Sequence, residues 1–373
     1  MFTPTPTHSK YKLDCRLVGH QDAILCLAVS SSGELLASGG IDGLRIWNLE
    51  KKKLPGWSQL WNPGDPVTSV TWVMREDNVQ EGLCCGTGLG YLIILRQHPN
   101  RCYNFEEIVS KRIGTGTEIM AISADTSNIS IRLTTGTRDQ RVQVWSLDSK
   151  YHLFNVFSVE LMTVPQAMFF WGADVIVFGM HDGAICILRG KDDIVLGTKQ
   201  TGMVIGAAAM DPNLNFFVID NATIGFSLHR MEDATCIKTY NTKPLKLYPK
   251  QVTFAEKGRV IVGGSDTGIV HILDKTSGDV LQLLQHSKSG QVQTITTHEA
   301  PDHHLIAAAS SSNDNTNIIM LWKKLIKAQN SGNPTWGTIQ TVLQVTMQLL
   351  VIATVGVFLY CTMVSALALM YPC

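Results

Sequence analysis

Five side chains able to hold a metal ion crowd one stretch of the sequence: His298, Glu299, Asp302, His303 and His304 in the run HEAPDHH. Zinc asks for ligands converging as a tetrahedron with further partners to orient them. The run spells no such set and is read as a turn-rich surface loop. Asp266-Thr267-Gly268 has the residue order of an aspartic-protease triplet, but that chemistry needs two carboxylates sharing one proton, so Asp266 is read as a turn residue. Gly86, Gly88 and Gly90 (CGTGLGY) are spaced GxGxG, and the strand expected after them offers no helix N-terminus to cradle a phosphate. The nine cysteines are odd in number and lack paired CxxC spacings, which reads as reduced thiols acting as small buried hydrophobes. Adjacent Cys84 and Cys85 should face opposite sides of one strand. With no GxSxG elbow, HExxH or P-loop in the chain, the residues spell no catalytic, metal or cofactor site.

The elements that carry these residues are strands. From Lys12 to Trp322 short apolar runs alternate with Gly, Asp, Asn and Ser turns, with no sustained 3.6-residue period, which is an all-β pattern. The clearest unit is LLASGGIDGLRIWNL from Leu35, two strands about a tight Asp-Gly turn. Its shape recurs from Leu133, Val175 and Val260, and more weakly from Gly82, Phe216 and Leu305. Taking the third strands to end at Trp47, Leu95, Trp145, Leu188, Ser227, Leu273 and Trp322, the mean step is about 46 residues, near the period of a propeller blade. A shorter apolar strand precedes each hairpin, as in AILCLAV from Ala23 and VQTITT from Val292. The expected fold is all-β, a seven-bladed β-propeller over residues 11–326, followed by one C-terminal transmembrane α-helix. An open sheet edge invites aggregation, so residues 11–18 are expected to close the ring as the outer strand of the last blade.

Lysine plus arginine equals aspartate plus glutamate, 31 each, so no field gathers phosphates and nucleic acid is not expected as a partner. Apolar residues are 45% of the 373 and charged ones 17%, and the apolar excess lies at one end. Residues 1–10 have no stretch fit for a secretory signal and are read as a disordered tail. Residues 327–340 read as a juxtamembrane linker and 341–371 as the membrane helix. Within the latter, 349–370 are nearly all apolar and long enough to cross the roughly 30 Å hydrocarbon layer. Asn333-Pro334 resembles a helix start, and Gln340, Gln344 and Gln348 fall on one helical face. Lys323, Lys324 and Lys327 precede the helix and nothing basic follows, which places the propeller in the cytosol and favours the endoplasmic reticulum or another secretory-pathway membrane over the mitochondrial outer one. The sequons at Asn128 and Asn221 should then stay bare.

Over roughly residues 11–324 the chain resembles the WD-repeat family. In that family a Gly-His pair, a Ser or Thr, a turn Asp and a strand-ending Trp form a buried hydrogen-bonded set. By that resemblance the set is Gly19-His20, Ser38, Asp42 and Trp47 in the first blade and Thr135, Asp139 and Trp145, without the histidine, in the third; Asp182 alone matches in the fourth. Asp42 and Trp47 are one residue closer than the family's interval, a departure that would put the first set out of register. The resemblance implies a protein–protein interaction scaffold, not an enzyme, binding proteins or peptides on a face or rim and tethered to a lipid bilayer through 349–370. The alternative is a small-GTPase regulator, since the nucleotide-exchange factor for the coat GTPase of the endoplasmic reticulum shares this plan. That factor has an extended ion-binding loop in its first blade, where this chain has the compact SGGIDGLRIW.

Overall fold

The structure, a computed structural model, describes residues 10–54, 64–75, 78–98, 101–125, 131–311 and 317–326, and of 74, 75, 78–80 and 101–103 the backbone alone. The chain divides into two units, Met1–Leu325 and Ile326–Cys373, and every strand among the described residues belongs to the first. The expected linker 327–340 and membrane helix 341–371 lie outside the described residues, as does most of the tail 1–10. Among the described residues no helix is long and apolar enough to cross a membrane.

The first strand, β1 (Lys12–Val18), belongs to a different sheet from its neighbour in sequence. The first blade is β2 (Ile24–Val29), β3 (Leu35–Gly40) and β4 (Gly43–Asn48), with 55–63 outside the described residues. The second is β5 (Val67–Arg75), β6 (Asn78–Thr87), β7 (Tyr91–His98) and β8 (Arg101–Arg112). The third is β9 (Ile119–Asp125), β10 (Ile131–Thr137), β11 (Arg141–Leu147) and β12 (Leu153–Glu160). The fourth is β13 (Pro165–Trp171), β14 (Asp174–Gly179), β15 (Ala184–Leu188) and β16 (Val195–Gln200). The fifth is β17 (Ala208–Met210), β18 (Phe216–Asn221), β19 (Gly225–Arg230) and β20 (Cys236–Asn241). The sixth is β21 (Val252–Ala255), β22 (Val260–Gly263), β23 (Ile269–Asp274) and β24 (Val280–Gln285). The seventh is β25 (Val292–Glu299), β26 (His303–Ser310) and β27 (Ile318–Leu325), and its fourth strand is β1, antiparallel to β27 from Lys12↔Lys323 to Val18↔Ile318.

The innermost strands β2, β5, β9, β13, β17, β21 and β25 lie side by side in that order, and β25 returns against β2. The ring of seven blades is closed. Side chains alternate across each strand, so every blade feeds two seams and the core is seven clusters, one between each pair of neighbours. Cys84 and Cys85 show this directly: Cys85 packs toward Leu44 and Ile46 of the first blade, Cys84 toward Leu133 and Trp145 of the third. Each large aliphatic side chain sealed in a seam contributes about 1.5–3 kcal/mol. The middle strands, covered on both faces, are therefore buried along their length, as in β3 and β4, where every residue is buried.

The position equivalent to the strand-ending tryptophan differs from expectation in one blade. The fifth runs past Ser227 to Arg230, and His229, opposite Phe217, takes the place that Trp145 has opposite Leu133. A bulge in pairing with the outer strand falls at the same point in both blades, at Leu228/His229 and Val144/Trp145. The correct equivalent of the strand-ending tryptophan is thus two residues beyond Ser227.

Candidate functional site

The turns joining second and third strands, and the connections leading from one blade to the next, lie on one face. In the first blade β3 and β4 are joined by Ile41 and Asp42 alone, between the paired Gly40 and Gly43, and Gly43 has φ 98°, a left-handed conformation that glycine adopts without strain. This turn places Asp42 under the incoming connection. Asp42 Oδ1 lies 2.6 Å from His20 Nδ1, His20 Nε2 lies 2.7 Å from Ser38 Oγ, and Trp47 Nε1 donates to the same Ser38 oxygen at 2.7 Å. The donors fix the order: the Trp47 N–H enters Ser38, the Ser38 O–H enters His20 Nε2, and the His20 Nδ1–H enters Asp42. Asp42 Oδ2 also accepts the Gln21 N–H at 2.8 Å and Arg45 Nη2 at 2.5 Å. The short Asp42 to Trp47 interval therefore does not displace the set; the two-residue turn absorbs the missing residue.

Ser38, His20 and Asp42 touch through the same atoms as an acyl-transfer triad. Ser38 has no solvent exposure, though, and its oxygen is occupied by the tryptophan, so no substrate carbonyl can approach it. The network works as a clamp. Burial pushes the His20 imidazole below its ordinary value, opposed by Asp42. Asp42 itself is held below the carboxylate range: burial works against this, and the Gln21 N–H, His20 and Arg45 outweigh it.

Other blades keep the clamp with different atoms. In the third, Trp145 Nε1 donates to Thr135 Oγ1 at 3.0 Å, while Asp139 accepts from Thr115 Oγ1 at 2.7 Å and from the Thr115 N–H, so a threonine does the work of His20. In the fourth, Thr163 Oγ1 donates to Asp182 at 2.7 Å. In the second the roles reverse, with Asp65 on the connection accepting the Leu89 N–H of the turn at 2.8 Å. Asp266, in the protease-like triplet, is the sixth blade's turn residue and accepts the N–H groups of Leu245 and Lys246. The seventh blade has a histidine that the sequence reading missed: His286 faces Trp322 with ring centroids 6.4 Å apart, against 6.3 Å for His20 and Trp47. Its signal was the matching tryptophan at the end of the seventh blade's third strand.

The remaining sequence candidates take structural places. Glu299 and His304 pair across β25 and β26, and Asp302 is bonded to His303 at 2.7 Å; among the described residues no group of three or more such side chains is arranged for a metal ion. Gly86 lies within β6 and Gly90, at φ 80°, in the turn after it. Cys26, Cys84, Cys85 and Cys186 are buried and Cys236 is exposed. Asn221 is buried, its Oδ1 accepting from Thr223 Oγ1 at 2.6 Å, while Asn128 lies outside the described residues.

What the face offers to a partner is different in kind. All seven innermost strands line a central channel of about 470 Å³. Beside it a buried ion pair joins two blades: Asp220 at the end of β18 accepts the Lys250 N–H at 2.8 Å, with Lys250 Nζ 3.5 Å away. Around this, large apolar side chains stand in solvent on the connections and turns, Met162, Val204, Ile224, Leu245, Leu247 and Tyr248. Such loops on a rigid scaffold suit binding.

Comparison with known proteins bears on the first blade most directly. The family model described as "WD domain, G-beta repeat" (WD40) matches residues 11–48, from β1 through β4. The chain is similar to Protein tipD of Dictyostelium discoideum, 22% identical over 280 residues, which is 72% of this chain and 42% of that protein. The chain thus spans less than half the length of the curated relative it matches.

Proposed function

We propose that this chain, a WD-repeat β-propeller, is a non-catalytic protein-interaction scaffold tethered to a membrane through residues 349–370, with the propeller in the cytosol. The observation that carries the scaffold reading is the upper face, the one that bears the second-to-third-strand turns and the connections between blades, where apolar side chains including Met162, Val204 and Leu247 project from connections fixed to a closed ring. Hydrogen-bonded clamps hold the connections before the first, third, fourth and sixth blades, so the surface is presented with little ordering cost at binding.

Tethering is supported by the sequence, whose segment 349–370 is almost wholly apolar and free of charge. Lys323 and Lys324 belong to β27, near Asp14 at 3.9 Å and Glu256 at 2.6 Å, which leaves Lys327 as the basic residue of the linker itself. The exchange-factor alternative draws no support from the first blade, whose second turn has two residues. Nucleotide exchange on small GTPases by the full chain would revive it.

Proximity labelling from the intact chain, compared with a version ending at Lys327, tests the proposal. The expected result is a set of neighbours lost with the tail and a second set lost when Leu247 and Met162 are replaced by Ser. Identical neighbours for all versions would overturn it.

A further inference from the structure

The connection from the fifth to the sixth blade, residues 242–249, is the most apolar protrusion of the upper face: Leu245 is 81% exposed, Leu247 71% and Tyr248 43%. It is not a loose loop. The Thr242 N–H is held by Ile224 O at 3.1 Å, the Leu245 and Lys246 N–H groups by Asp266 Oδ2 at 2.6 and 2.5 Å, and the Lys250 N–H by Asp220 at 2.8 Å. A segment pinned at its start, middle and end cannot turn its leucines inward, so the apolar surface remains for something else to cover.

Charge says what that something is. Lys243 and Lys246 on this connection, and Lys288 on the next, form no ion pair among the described residues. The carboxylate between them, Asp266, already accepts two backbone N–H groups. Between the two connections lies a hollow of about 470 Å³ lined by Leu245, Lys246, Asp266, Thr267, Lys288 and Gln291, among others. Lys288 also borders a second hollow of about 330 Å³ with Arg16 and His286. The site is thus concave, with ammonium groups at its edge and leucines beside it.

The geometry points to a docking site on the sixth and seventh blades for a short peptide segment of a partner protein, carrying two or more acidic residues next to a bulky apolar one. The acidic groups meet Lys246 and Lys288, and the apolar side chain covers Leu245 and Leu247. A hollow built from two pinned connections fits an extended segment better than the flat surface of a bilayer. This rests on the scaffold reading and gives it a partner chemistry.

Selection of a random 12-residue peptide library on the full chain, purified in detergent, tests it. Selected peptides should be enriched in Asp or Glu beside Phe, Leu, Trp or Ile. Their affinity should fall about tenfold or more in Lys246→Glu/Lys288→Glu and in Leu245→Ser/Leu247→Ser, and should weaken with added salt. These side chains are exposed, so thermal melting of the variants should match the parent and separate lost docking from lost folding. Selected peptides without acidic residues, peptides indifferent to both variants, no enrichment at all, or binding of phosphatidylserine vesicles that the same variants abolish would each overturn the site. If peptides are selected but bind elsewhere on the ring, the site fails while the scaffold reading stands; if proximity labelling also finds no tail-dependent or face-dependent neighbours, both fail.

Discussion

Trp47 carries two jobs at once: its ring fills the seam between the seventh and first blades, and its Nε1–H ends the chain of hydrogen bonds through Ser38 and His20 to Asp42. Trp47→Phe keeps much of the ring and removes the donor, so it should cost about 1–3 kcal/mol, read as a lowered urea midpoint. His20 adds an acid limit. Its folded value is depressed, so its contribution is present above the ordinary histidine value of about 6.5 and is lost as pH falls through the folded value. Asp220 acts in the opposite direction. Burial raises its carboxyl to about 6, with Lys250 opposing, so the folded chain holds that proton more tightly than the unfolded one. The resulting stability is full below about pH 4 and is lost as pH rises through about 6. Asp220→Asn keeps an acceptor for the Lys250 N–H and removes the titration. The parent should therefore lose stability relative to this variant as denaturation is measured from about pH 4 to about pH 7, and parallel curves would refute the assignment. Of these residues, Ser38, Asp42 and Trp47 were legible because glycines and an aspartate mark the turn between them. Thr115 and Thr163 were not, since a hydroxyl replacing an imidazole leaves no local pattern, and His286, placed before its blade as His20 is, follows Gln285 where His20 follows Gly19, so only Trp322 pointed to it.

Strands were readable in proportion to how many of their faces are covered. Middle strands such as β14, buried from Val175 to Gly179, are runs of Val, Ile and Phe that read directly as β. Outer strands such as β16 (VLGTKQ) and β24 (VLQLLQ) show exposed residues at most positions, and their mixed composition does not stand out from loop. β1 was legible by topology, because the ring needed a partner for β27. Its anchorage is stronger than pairing alone: Leu17 and Tyr11 are buried in two different seams, and the Gln282 side-chain amide clasps the Tyr11 backbone at both N and O, 2.9 and 2.8 Å. Removing residues 10–18 would strip β27 of its neighbour and uncover both seams at once. The expected outcome is loss of the single cooperative thermal transition together with self-association in size-exclusion chromatography. A variant that melts like the parent would show that the ring closes without β1. Leu17→Ala, which keeps the pairing, should cost only about 2–5 kcal/mol.

At the scale of the whole molecule the seven seams of the closed ring are filled by residues of the blades themselves. The proposed membrane anchor rests on the sequence, where residues 349–370 are almost wholly apolar and uncharged. The two sequons promised a simple report on which side of the membrane the propeller lies, and the fold changes how such a report must be read. Asn221 sits at the end of β18, 7% exposed, with its Oδ1 occupied by Thr223, so a bare Asn221 is uninformative once the fifth blade has formed. Topology has to be asked at sites the fold leaves open. Cys236 is exposed on the outer strand of the fifth blade while Cys26, Cys84, Cys85 and Cys186 are buried, and burial holds the Cys26 and Cys84 thiols up at about 12, where they react slowly. In cells opened only at the plasma membrane, a membrane-impermeant maleimide should label Cys236 in the intact chain as fast as after detergent, and Cys236→Ser should remove that labelling. Labelling that requires detergent would place the propeller on the lumenal side and overturn the proposed orientation, while alkaline extraction of the chain from membranes would overturn the anchor itself.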